Sequence, residues 1–133
     1  MQKIFDKILS IKDKYKSNIV FDTRNLKEND IFVGIKTQKN DGSLFYKDAV
    51  RKKAGLILIN NPKVYHQNIF QINNIDNFIL NFCKFLLSQY KGKIIAITGS
   101  VGKTTIKENI FNILEENKFL VSKSYKNFNN KLG

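Results

Sequence analysis

The chain has 133 residues and a formal net charge of +12, from 23 basic and 11 acidic side chains. Its 42% hydrophobic and 26% charged content is that of a globular chain, not a disordered one, and no apolar run reaches the ~18–20 residues of a membrane helix. A single cysteine, Cys83, excludes an internal disulfide. With no signal-peptide core near Met1, a soluble protein of the reducing cytoplasm is expected. Only Arg24 and Arg51 among the basic residues are arginine, and the lysines are scattered. A diffuse positive field of this kind argues against specific nucleic-acid recognition.

In chain order, Ile4, Phe5, Ile8 and Ile11 are spaced for a short amphipathic helix over 2–11. Ile19-Val20-Phe21 and Ile31-Phe32-Val33-Gly34-Ile35 predict strands, separated by the loop Asp22-Thr23-Arg24-Asn25. Asp41-Gly42 marks a turn, and residues 44–53 suit a helix, with Leu44, Phe45 and Ala49 apolar and Gly55 at its stop. Leu56-Ile57-Leu58-Ile59 is a compact apolar strand closed by Asn60-Asn61-Pro62, whereas 64–74 reads as strand or loop. A helix is expected over 76–90, with Phe78, Ile79, Phe82, Phe85 and Leu86 on one face and Cys83 buried among them. Ile94-Ile95-Ala96-Ile97 and Phe119-Leu120-Val121 predict two further strands around a helix over 102–117. The boundary between two units is expected at 75/76, giving domains 1–75 and 76–133.

The sharpest chemical signal is Thr98-Gly99-Ser100-Val101-Gly102-Lys103-Thr104-Thr105, between the apolar run 94–97 and an amphipathic helix. Glycines there let successive backbone N–H groups curl toward phosphate oxygens, and the helix start adds donors and a positive dipole end. Lys103 suits the β/γ-phosphates, and the Thr104 hydroxyl suits Mg2+. The common pattern G-x-x-x-x-G-K-[ST] wants glycine where Ile97 stands, so the strand–loop–helix context carries the reading rather than the full motif. Glu108, Glu115 and Glu116 are the only acids after Thr105, and none follows an apolar strand as a metal-holding carboxylate would. His66 has no metal-site company, and Asp22 with Arg24 also suits a plain loop ion pair.

The string from Thr98 to Glu108, including Lys107-Glu108, resembles the ATP loop of the Mur ligases, whose variant also lacks the first glycine. It is most similar to the branch that adds D-alanyl-D-alanine to UDP-N-acetylmuramoyl-tripeptide. Lys126 to Gly133 resembles the family's N-x-N-N-x-x-G segment, Asp22-Thr23-Arg24 its D-S-R element, and Asp30-Ile31-Phe32-Val33-Gly34 its D-x-F-V-[AG] strand. The resemblance implies an α/β chain in two parts, a small N-terminal UDP-binding domain and the truncated beginning of a P-loop α/β domain. It further implies ATP and Mg2+ at Gly99, Ser100, Val101, Gly102, Lys103, Thr104 and Thr105. Lys103 would be the catalytic cation and Thr104 the metal ligand. Substrate contacts would come from Thr23, Arg24, Asp41, Gly42, Asn127, Asn129 and Asn130. The partners would be UDP-N-acetylmuramoyl-tripeptide and D-alanyl-D-alanine, in an enzyme of peptidoglycan synthesis that is monomeric when intact and aggregation-prone when truncated. The family's later metal-binding residues and C-terminal domain have no counterpart here, so ligation by these 133 residues alone is expected to fail. A stand-alone nucleotide-binding remnant and a basic nucleic-acid-binding or scaffold domain are the alternatives.

Overall fold

The computed structural model describes residues 1–38, 40–61 and 63–124. The chain divides into two compact units, Met1–Leu87 and Ser88–Gly133.

The first unit is a four-stranded, wholly parallel sheet in the order β1-β2-β3-β4, with helices on both faces. Its elements run α1 (Gln2–Tyr15), β1 (Ile19–Val20), β2 (Ile31–Val33), α2 (Tyr46–Arg51), β3 (Leu56–Ile59), β4 (Ile69–Gln71) and α3 (Ile75–Gln89). The two central strands are buried along their whole length, as parallel strands covered on both sides must be. Register sorts their side chains by face: Ile31 lies beside Leu56 and Val33 beside Leu58. These four pack with Phe5 and Ile8 of α1 and with Ile75, Phe78 and Phe82 of α3. Phe32, Ile57 and Ile59 point the other way, onto Leu26, Ala49 and Ala54 under α2.

Helix ends depart from the simplest reading. Lys53, with φ of 56°, makes the left-handed turn after α2 that Gly55 was expected to make. It does so because the Lys52, Lys53 and Ala54 amides close the helix on the Asp48, Val50 and Ala49 carbonyls. Leu44 and Phe45 belong to a 3-10 turn before α2 and are exposed, so Ala49 alone of that trio enters the core. Cys83 is exposed instead of buried; it lies about 100° around the helix from Phe82, off the inward face. The division between the compact units falls at 87/88, within the last turn of α3, and Phe78 and Phe82 pack in the core of the first unit.

The second unit holds α4 (Lys103–Glu116). The strands expected at 94–97 and 119–121 do not form among the described residues. An apolar run becomes a strand only through a ladder partner; Ile94, Ile95, Phe119 and Leu120 are exposed. No helix among the described residues is long and apolar enough to cross a membrane.

Candidate functional site

Two places gather the residues that the sequence singles out, one in each unit. In the second unit, residues 98–105 run through a tight loop into α4. Gly99 (φ 150°) and Gly102 (φ 80°) both take backbone conformations that side chains disfavour. The space beside Gly102 is open, with no atom within 4 Å of where a Cβ would stand. Gly102 is also the N-cap of α4, and no side chain caps the helix. Its first hydrogen bond runs from the Ile106 amide to the Gly102 carbonyl, 2.9 Å. The amides of Lys103, Thr104 and Thr105 precede that bond and have no intrahelical acceptor. The Lys103 side chain folds back over the loop, its Nζ donating to the Gly99 carbonyl and, at 3.4 Å, to that of Ser100. Thr104 and Thr105 are exposed, as are Ser100 and Val101. The start of α4 thus offers three first-turn amides with no intrahelical acceptor and one folded-back amine.

In the first unit, the loops leaving the strands collect at the carboxyl edge of the sheet, where open parallel sheets hold their ligands. A cleft of about 200 Å3 there is lined by residues including Gly34, Lys36, Asp41, Ser43, Asn60, Asn73 and Asn74. A hydrogen-bonded chain ties its walls together. The Asp41 carboxylate accepts from the Ser43 amide (2.9 Å), Ser43 Oγ accepts from the Asn60 amide (3.1 Å), and Asn60 Nδ2 donates to the Asn73 carbonyl (2.9 Å). Asn74 continues it by capping α3, its Oδ1 accepting from the Asn77 amide at 2.8 Å. A larger cleft, about 300 Å3, lies at the opposite, amino edge beside Asn29, Gly55 and Asn68; strand geometry favours the carboxyl edge despite the smaller volume.

The expected substrate residues separate here. Asp41 lines the carboxyl-edge cleft. Gly42 instead packs against the start of the preceding loop: its amide donates to the Ile35 carbonyl at 2.8 Å, and an added Cβ would stand 2.6 Å from that oxygen. Thr23 is buried and Arg24 exposed, and both carbonyls accept from Lys52 Nζ, at 2.7 and 3.4 Å. Neither lines the cleft. Asn127, Asn129 and Asn130, with Tyr125 and Phe128, lie outside the described residues. Sequence reasoning missed Ser43, Asn60, Asn73 and Asn74; the signal for the asparagines was their position directly after an apolar strand and directly before a helix.

Asp22 and Arg24 do form the loop ion pair, Oδ2 to Nη2 at 2.6 Å, and Asp22 also accepts from the Arg24 amide. The guanidinium bonds, then the amide bond, lower the Asp22 carboxyl from 3.8 to about 2. A depressed carboxylate stabilises the fold fully above about 3.8, and loses that contribution as pH falls through about 2. Carboxyl-carbon NMR titration should place Asp22 near 2, and Arg24→Ala should return it toward 3.8. An unchanged midpoint in the variant would show that the pair is not formed in solution.

No protein-family model matches the chain. The UDP-N-acetylmuramoyl-tripeptide–D-alanyl-D-alanine ligase of Rickettsia prowazekii is 32% identical over 119 residues, covering 88% of this chain and 26% of the relative. The UDP-N-acetylmuramoyl-L-alanyl-D-glutamate–2,6-diaminopimelate ligase of Buchnera aphidicola (Acyrthosiphon pisum subspecies) is 38% identical over 117 residues, covering 77% and 23%. Among solved structures, MurF ligase from Thermotoga maritima in complex with ADP superposes with a TM-score of 0.77 and 31% identity, over 88% of this chain and 27% of that one. The chain spans about a quarter of the length of the curated relatives it matches. Its parallel sheet and its sequence agree on one lineage, and the chain belongs to the Mur ligase family.

Proposed function

We propose that the chain carries the nucleotide-phosphate loop and the UDP-substrate unit for ATP-dependent joining of D-alanyl-D-alanine to UDP-N-acetylmuramoyl-tripeptide. Residues 98–105 take the triphosphate, and the unit 1–87 holds the uridine diphosphate end. The observation that carries this reading is the start of α4, which brings together uncapped first-turn amides, two glycines at positive φ, open space beside Gly102 and the folded-back Lys103. A phosphate fits that cradle because its oxygens would replace the Gly99 and Ser100 carbonyls as acceptors for Lys103, while the amides of 103–105 donate from below. The Thr104 hydroxyl, exposed at the second position of the helix, is the protein oxygen that would hold Mg2+. Among the described residues there is no group of three or more His, Cys, Asp or Glu that could hold a metal ion, so Thr104 is the one protein ligand proposed for it. When bound there, Mg2+ would supply charge neutralisation at the terminal phosphates; the loop's own part is to fix them and to lend Lys103 to the charge that develops during transfer.

The Lys107-Glu108 pair and the D-alanyl-D-alanine ligase relatives support that branch; the 2,6-diaminopimelate ligases also match, so the incoming amino component is the finer part of the proposal. Titration calorimetry of the 133-residue chain with Mg-ATP tests the reading. Lys103→Ala should weaken binding by about 30- to 150-fold, the worth of a charged hydrogen bond of roughly 2–3 kcal/mol. Equal affinity in the variant would overturn it. A basic nucleic-acid-binding domain would instead bind polyanions with a steep salt dependence that Lys103→Ala leaves in place. A nucleotide-binding remnant would take Mg-ATP and ignore the UDP-linked peptide.

A further inference from the structure

Three features of the second unit stand apart from the phosphate loop itself. First, α4 has no buried side chain along its 14 residues, and a helix of that length is marginal in water without packing. Second, the chain doubles back at its end. Lys118 turns left-handed at φ 61°, and the amides of Lys118 and Phe119 close onto the Glu115 and Leu114 carbonyls. Residues 118–124 can extend about 20 Å, enough to retrace the roughly 15 Å of helix between 117 and 107. Third, the returning segment is tied to the second turn of α4. Lys107 Nζ donates to the Ser124 carbonyl at 2.9 Å and lies 3.5 Å from Glu108, which in turn pairs with Lys123. Lys123 Nζ also stands 3.9 Å over the Phe111 ring, and Lys107 is only 15% exposed.

We propose that Lys107, Glu108 and Lys123 form an ionic clip that keeps the first two turns of α4 helical and so preorganises the phosphate loop for an anion. The proposal rests on the nucleotide reading above. Lone exposed ion pairs contribute little, but these three charges share one carboxylate and bury one stem, and they act on the turn directly after Lys103. The second-turn amides bond the carbonyls of the turn before, beginning with Ile106 to Gly102, so fraying of the second turn frees the backbone that orients the first-turn amides. The Lys123 hydrogen bond, foremost, lowers the Glu108 carboxyl below its usual range, the direction expected of a carboxylate shared by two amines. These are positioning residues: they touch the helix, and the helix touches the phosphate.

The test uses the 133-residue chain with Glu108→Gln, Lys123→Met and the conservative Lys123→Arg, read by amide hydrogen exchange and by Mg-ADP titration at low salt. Glu108→Gln and Lys123→Met should speed exchange at residues 106–109, the first hydrogen-bonded amides of α4, and weaken Mg-ADP by about tenfold. Lys123→Arg should keep both near wild type, and melting of the first unit should not move in any variant. Unchanged exchange, or faster exchange with unchanged affinity, overturns the clip. Failure of the wild-type chain to bind Mg-ADP overturns the nucleotide reading itself, and the clip's effect on it falls too.

Discussion

Replacing Asp30 with alanine should destabilise the four-stranded unit by about 4 kcal/mol, as two hydrogen bonds to a charged acceptor are lost. Asp30 is 4% exposed and stands at the entrance to β2. Its carboxylate accepts from the Asn18 amide at 2.8 Å and from the Lys27 amide at 2.9 Å. Its carbonyl accepts from the Gly55 amide at 2.9 Å, just ahead of β3. One residue therefore aligns the entries to three adjacent strands, and alanine would leave two amides without their acceptor in a part-buried setting. Asparagine keeps one acceptor oxygen but turns an NH2 toward the other amide, so it should cost roughly half as much. Urea unfolding followed by circular dichroism checks both. An alanine variant within about 1 kcal/mol of wild type would show that water replaces the carboxylate without loss. The aspartate that opens the family-like D-x-F-V-[AG] string thus has a structural duty, independent of any ligand.

Phe5→Ala should cost about 4 kcal/mol, in the range of deleting a buried aromatic ring. Phe5 comes from α1, yet its ring lies 5.4 Å from Phe78, 5.2 Å from Phe82 and 5.3 Å from Phe85 of α3, centroid to centroid. Removing it opens a cavity between the two helices that cover one face of the sheet. The same variant should raise amide exchange throughout α3 as well as in α1, since each helix is the other's packing partner. Loss of stability with α3 protection intact would mean that α3 is held by the sheet alone, and that the first unit does not need it for closure.

Legibility in the sequence followed from how local each cause was. Ile31–Val33 and Leu56–Ile59 were plain because both their faces are buried, which leaves an uninterrupted apolar run. The three long helices were plain from their three-and-four spacing, although α1 extends to Tyr15, past the last periodic residue expected. β4 was ambiguous because it is an edge strand with only Ile69 and Phe70 apolar; its pairing is dictated by β3, twelve residues earlier, through Ile57–Ile69 and Ile59–Gln71. Ile94–Ile97 misled for the complementary reason: it has the composition of a strand, but composition supplies no ladder partner. The residues proposed for the phosphate cradle lie within the eight consecutive positions 98–105, so a local reading could single them out. The carboxyl-edge network could not be found that way. Ser43, Asn60 and Asn73 are 17 and 13 residues apart and meet only because three parallel strands end side by side.

The most direct measurement is the amide NMR spectrum of the 133-residue chain during titration with Mg-ADP. Shifts centred on Gly99, Gly102, Lys103, Thr104 and Thr105, saturating together and absent in Lys103→Ala, are the expected result. An unchanged spectrum, or shifts confined to the lysine-rich surface and removed by moderate salt, would contradict a phosphate loop at the start of α4.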